Sequence, residues 1–227
     1  SPVDQMRTDN RIDALATFNR AFENKFATRE VKAYAEYYDN TMDFLKSKDL
    51  SAFDLEQIPN AQRQKYGMNR FGQGCLLAKQ VTGMGVKYVR VTKGGWDNHQ
   101  SIATSMQQTA REMDQAFAAL VDDLEKEGRL KETLVVLGTE FGRTNVVNQN
   151  SGRDHFPRCF STVMAGGGIV GGQKWGISDK NGYAPEEHPC TPEDFNATIA
   201  TALGVPLDKV VFAPSGRPFL VAGHKPD

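Results

Sequence analysis

A chain of 227 residues with 39% apolar content is long enough to bury a real core, and one domain is the expected count, since α/β domains often reach this size. Its 27 basic and 28 acidic residues leave a formal net charge of −1 with no run of like charges, which recommends neither nucleic acid nor an anionic membrane as a partner. No apolar run approaches the roughly 18 residues of a spanning helix, and Ser1–Pro2–Val3–Asp4 is a polar opening rather than a signal peptide, so the sequence reads as a mature, trimmed or fragmentary chain with no transmembrane segment.

Apolar residues at Ile12, Leu15, Phe18 and Phe22 predict a helix over residues 9–26, and Val31, Tyr34, Tyr38, Met42 and Leu45 predict a second over 29–48. Together they suggest an antiparallel pair whose aromatic stripe belongs to the core. Residues 51–59 read as a loop or short turn, and 60–66 as a turn or two of helix. A short helix over 71–83 carries Leu76, Leu77 and Val81 and stops at Gly83–Met84–Gly85, with Cys75 on it as an inert buried thiol. Cys75, Cys159 and Cys190 have no C-x-x-C spacing, which excludes zinc-ribbon and thioredoxin readings; a Cys159–Cys190 disulfide stays open for an oxidising compartment.

The alternating, β-rich residues 86–92 predict a strand that ends at Gly94–Gly95–Trp96–Asp97–Asn98–His99. A long helix follows, with Ile102, Met106, Ala110, Met113, Phe117, Leu120 and Leu124 at threes and fours until Glu127–Gly128, and Asp122, Asp123, Glu125 and Lys126 as a solvated face. The uninterrupted apolar run 133–138 predicts a second strand covered on both faces, so strand, helix and strand imply a right-handed parallel crossover. That places Glu140 and Arg143 on the same rim as Asp97 and His99, where open α/β sheets bind ligands. After a polar loop over 145–151 come Gly152–Arg153–Asp154–His155, then a third strand over 160–165. The glycines 166–168 suit close backbone packing, since neither a P-loop ending nor the Rossmann spacing accompanies them. Gly171 and Gly172 punctuate a hairpin or turn. Thr191, Pro192 and Asp194 form a capping box for the last helix, which carries Phe195, Ile199 and Leu203 and ends at Gly204; a turn at Ser215–Gly216–Arg217–Pro218 and an edge strand over 219–221 follow.

Three of the four histidines, His99, His155 and His188, fall in loops, and the first two stand one or two residues from an aspartate. Imidazole nitrogen and carboxylate oxygen suit a divalent ion such as zinc, and an open coordination position leaves room for water or an ester oxygen. Asp97, His99, Asp154 and His155 are therefore candidate ligands. Against this stands a bland alternative: Asp97 caps the long helix, His99 is a first-turn residue and Asp154 pairs with Arg153. His188 reads as structural, and His224 as a tail residue. Glu140 is a candidate ligand or acid/base and Arg143 a candidate clamp for a phosphate or sulfate, unless the two simply pair with each other.

Gly94–Gly95–Trp96–Asp97–Asn98–His99, Gly138–Thr139–Glu140–Phe141–Gly142–Arg143–Thr144, Gly152–Arg153–Asp154–His155 and Ala165–Gly166–Gly167–Gly168 resemble, in order, the signatures of the domain of unknown function 1501 family. The resemblance covers most of the chain from about Ser51 on. It implies usually exported bacterial proteins of the alkaline phosphatase and sulfatase superfamily: a mostly parallel sheet flanked by helices, with one or two metal ions at the carboxyl ends of its strands. It then implies a single alkaline-phosphatase-like α/β domain over 1–227, a helical pair over 1–50 and a sheet-containing core over 51–227, as the C-terminal fragment of a longer protein. Glu140 takes the place of a ligand Asp, Phe141 stands where a ligand His is expected, and the nucleophile-bearing upstream strand is not in this chain. The expected function is a periplasmic or extracellular metal-binding hydrolase, with zinc as cofactor and an anionic phosphate or sulfate ester as substrate. The alternative is a non-catalytic subunit or assembly protein, with a protein partner or companion fragment supplying the absent strand.

Overall fold

A computed structural model describes residues 5–221, which fall into two compact units, Ser1–Gln57 and Ile58–Asp227, of a mixed α/β chain. His224 lies outside the described residues. In the first unit α1 (Gln5–Lys25) packs on α2 (Arg29–Lys46), whose N-terminus is capped by Thr28, its hydroxyl accepting from the Val31 amide at 3.3 Å. Two 3-10 turns, Lys48–Phe53 and Leu55–Gln57, follow, and Phe53 meets the edge of Phe44 at 5.9 Å. The aromatic stripe expected as core is not buried: Phe18, Tyr34 and Leu45 are exposed and α2 contributes no buried residue. Two helices share only one line of contact, too narrow to cover a stripe of this width.

In the second unit α3 (Asn60–Tyr66), α4 (Arg70–Gly83) and α5 (Ile102–Lys126) enclose the core, with Tyr66, Leu76 and Leu124 fully buried and Cys75, Ala78, Val81, Ala116 and Ala119 around them. Asn69 caps α4 by accepting from the Gly72 amide at 2.9 Å, and Gly72 lets the end of α3 approach, since a Cβ there would lie 2.0 Å from the Tyr66 carbonyl oxygen. All three cysteines are free thiols, so Cys159 and Cys190 are not bridged, and burial pushes the Cys75 thiol up to about 11.

The solvated face expected at the end of α5 is corrected at Asp123. Its side chain is 12% exposed and receives Lys65, the Tyr66 hydroxyl at 2.8 Å and Lys79 at 3.1 Å, while Lys79 also reaches Glu127 at 2.8 Å. Lys79 itself is buried. Burial opposes ionisation of Asp123 most strongly, but the bonds from Lys65, Tyr66 and Lys79 outweigh it and hold the carboxyl down at about 2.

The strands depart from the expected parallel sheet. Residues 86–92, expected as a strand, form no ladder with any other described segment; Val89 and Val91 are half-buried, while Val86 and Tyr88 are exposed. A strand is completed only by a hydrogen-bonding neighbour, so the strand–helix–strand crossover lacks its first member here. The strands of the described residues pair two at a time, each antiparallel: β1 (Val135–Leu137) with β4 (Val163–Ala165), β2 (Gly142–Arg143) with β3 (His155–Phe156), β5 (Ile177–Ser178) with β6 (Pro185–Glu187), and β7 (Val210–Phe212) with β8 (Pro218–Leu220). Gly166 and Gly167 close the β1–β4 end: the Gly167 amide donates to the Leu130 carbonyl at 2.9 Å, and a Cβ on Gly166 would come within 2.3 Å of that same oxygen. Between β6 and β7, α6 (Pro192–Ala202) begins with the predicted capping box of Thr191 and Asp194 and with Pro192 in its first turn. No helix of the described residues is long and apolar enough to cross a membrane.

Candidate metal centre

Three stretches supply the side chains. The first, Gly94 to His99, turns back on itself: the Trp96 indole donates to the Lys93 carbonyl at 2.9 Å and the Asn98 amide group to the Gly95 carbonyl at 3.1 Å. Asp97 is not the cap of α5. Ser101 holds that position without a side-chain bond, and its amide and that of Ile102 donate instead to the carbonyls of Asn150 and Ser151 at 3.1 and 2.9 Å. Asp97 is thereby left free to face the second stretch, β2 and β3, where Arg143 stands opposite His155. Thr144 closes that end of the pairing by donating its amide to the Asp154 carbonyl at 2.8 Å and accepting from the Asp154 amide on its hydroxyl at 3.1 Å.

The third stretch, the loop over 148–152, locks the other two together. Gly152 is buried against the backbone of His99, where a Cβ would lie 2.0 Å from the His99 carbonyl carbon, and the Arg153 amide donates to the Asn98 carbonyl at 3.0 Å. Gly152→Ala should therefore force the two loops apart and lower stability by about 1–3 kcal/mol, read by urea unfolding. An alanine variant with the wild-type midpoint would show that this close approach is not needed.

The side chains converge on one oxygen. Asp97 Oδ1 lies 3.0 Å from His99 Nε2, 2.9 Å from His155 Nε2 and 2.6 Å from Arg143 Nη1, and the two Nε2 atoms are 3.3 Å apart. Behind His99, its Nδ1 is 2.7 Å from Asp154 Oδ1. Behind His155, the Phe141 ring packs at 4.5 Å between centroids. Arg143 also pairs with Glu140, so the two strand-end residues pair as well as sharing the rim with Asp97. Arg153 donates to the Thr144 carbonyl at 3.2 Å. The bond with His155 pulls the Asp97 carboxyl below its usual range, followed by the bond from Arg143; the bond with His99, then that from Asn148, does the same for Asp154. His188 belongs to a different place, stacked on Trp175 at 4.8 Å.

The donor atoms of this cluster are of the kind that suits a cation. If His99 donates its Nδ1–H to Asp154, its Nε2 lone pair is turned toward His155 Nε2 and the Asp97 carboxylate, the side on which a proton or a cation can be shared. The donor spacings of 2.9 to 3.3 Å are close to the roughly 3.3 Å edge of a tetrahedron with bonds of about 2 Å. Among the described residues Asp97, His99 and His155 form the grouping that could share an ion, with all ligand atoms within 4.8 Å of one another. Asp154 lies on the far nitrogen of His99, the position of a supporting carboxylate rather than of a fourth ligand.

The model of the family described as Protein of unknown function (DUF1501) matches residues 1–227. The chain belongs to DUF1501. No curated protein and no solved structure matches it. In this DUF1501 chain the motif residues of three separate stretches meet in one cluster, and Asn148, in sequence only one more residue of a polar loop, touches two of them: it donates to Asp154 Oδ1 and to the His99 carbonyl, both at 3.1 Å. Nothing in the local sequence marks one asparagine of that loop over another.

Proposed function

We propose that this DUF1501 chain is the metal-binding part of an exported hydrolase with an alkaline-phosphatase-like fold, acting on phosphate or sulfate esters. The observation that supports it is the meeting of Asp97, His99 and His155 at donor spacings that suit one divalent ion, with Asp154 behind His99. The imidazole and carboxylate donors favour zinc. An ion held there would supply Lewis acidity toward an ester oxygen and toward water.

The chain's own side chains would do the rest. Asp154 would keep the proton of His99 on Nδ1, leaving Nε2 as a ligand. Arg143 is held at 16% exposure between Asp97 and Glu140, so its planar fork is already oriented beside the ion site. A phosphate or sulfate taking the place of Glu140 would receive two parallel N–H bonds from it. Glu140, released into solvent, would be free to act as a base. The Phe141 ring against His155 takes the place of a ligand, which argues for one ion rather than two. Export to the periplasm or beyond follows from the family resemblance.

The test is hydrolysis of aryl phosphate and aryl sulfate by the purified protein, first with zinc, then after chelation, then with zinc restored. Turnover that follows the metal supports the reading; a zinc-loaded protein that cleaves neither ester removes the hydrolase part of it. A non-catalytic subunit that keeps the fold for assembly is favoured by one observation, that the strand-like sequence over 86–92 has no ladder among the described residues. In that case the native mass would reveal a stable complex with another chain.

A further inference from the structure

We infer that Asn148 is the positioning residue of the cluster: its amide fixes the Asp154 carboxylate against His99 Nδ1 and so aims His99 Nε2 at Asp97 and His155. The side chain is half-buried between the loops and all four of its bonds are made. Its Nδ2 donates to Asp154 Oδ1 and to the His99 carbonyl, each at 3.1 Å, and its Oδ1 accepts from the amides of Asn150 at 3.0 Å and Gly152 at 2.9 Å. Only one orientation of the amide works. Flipped, it would set oxygen against a carboxylate and a carbonyl, and NH2 against two backbone N–H groups.

The physical consequence lies with Asp154. Its carboxylate is about half exposed, and without a second bond it could turn away into water; the Asn148 donor holds the same Oδ1 that meets His99 Nδ1. With Asp154 held, the His99 ring is fixed in rotation and in tautomer. A carboxylate placed this way also raises the basicity of the opposite nitrogen, and loss of such a partner typically weakens metal binding 10–100-fold. The same asparagine joins the His99 backbone to the turn that carries Gly152, so the aim of the ring and the spacing of the loops depend on one side chain.

The deciding variant is Asn148→Asp. It retains an oxygen to accept from the Asn150 and Gly152 amides but has no donor for Asp154 and brings a like charge beside it. A purely structural role in the turn would survive this change. In the metal-free wild type, imidazole nitrogen NMR at alkaline pH should show the His99 proton on Nδ1. In Asn148→Asp that signature should be lost in a protein that still unfolds cooperatively in urea, and zinc affinity, measured by calorimetry, should fall 10–100-fold. Asp154→Ala, which leaves the turn bonds of Asn148 in place, should give the same change at His99 should Asn148→Asp fail to fold. A His99 signature unchanged in either folded variant overturns the inference. So does a wild type without the Nδ1 proton. The affinity arm rests on the proposed metal site: a wild type that binds no zinc overturns that reading, and the tautomer measurement then decides the role of Asn148 by itself.

Discussion

Zinc bound by the purified protein should fall to none when His99 and His155 are both replaced by alanine. The two imidazoles are two of the three side chains whose ligand atoms meet, and the one left, Asp97, is an exposed carboxylate already engaged by Arg143 at 2.6 Å. A lone carboxylate in water does not retain a transition metal against competition, because each missing ligand gives back most of the desolvation that the others share. The single replacements should order themselves. His99→Ala removes a ligand and should weaken binding more than Asp154→Asn, which leaves Nε2 in place and costs roughly 10–100-fold. His188→Ala, stacked on Trp175 away from the cluster, should change nothing. Elemental analysis of the double variant checks the prediction, and unchanged stoichiometry would reject the site.

The second large effect concerns stability. Asp123→Asn should destabilise the helical core of the second unit by roughly 3 kcal/mol, because truncating one partner of a buried pair leaves the other charge with too little compensation. Lys79 would keep only Glu127 at 2.8 Å as an anionic partner, Lys65 would keep Asp122 at 2.7 Å, and the single amide oxygen left at position 123 would replace the two carboxylate oxygens that now serve Lys65, the Tyr66 hydroxyl and Lys79. The pH dependence has a definite sign. The carboxyl is held at about 2 in the folded chain against an ordinary 3.8, so its contribution is complete above 3.8 and disappears as the pH falls toward 2. That shift corresponds to about 2 kcal/mol. Urea midpoints of wild type and Asp123→Asn should thus differ at neutral pH and approach each other in acid. Midpoints that differ by the same amount at every pH would mean that the charge on Asp123 is not what matters.

Features that depend on residues close along the chain are legible in the sequence. The period of Ile102, Met106, Ala110, Met113, Phe117 and Leu124 marks α5 to within a few residues, and Thr191, Pro192 and Asp194 mark the start of α6 together with its capping bonds. Asp123 escapes such a reading for the complementary reason. Along α5 it is one more acid on a charged face, and only the approach of α3 and α4 brings Lys65, Tyr66 and Lys79 to it. Residues 86–92 show the same limit, since alternation describes which side chains one strand can bury and leaves open what will pair with it. Strands β1 and β4 stand out as apolar runs, but their antiparallel pairing does not, because direction depends on the path of the chain between them.

For the candidate site, the sequence by itself determined the ingredients: a D-x-H pair, a D-H pair, and an acid and an arginine after an apolar strand, in a chain that belongs to DUF1501. Tertiary structure decided how they are used. Gly152 against the His99 backbone and Asn148 between the loops bring Asp97, His99 and His155 to one point and turn Asp154 to the outer nitrogen of His99. Residue type sets which atoms can donate or accept, a local property of the chain. Which of them share an ion depends on a few ångströms of loop placement, and that is fixed by contacts between residues some fifty positions apart.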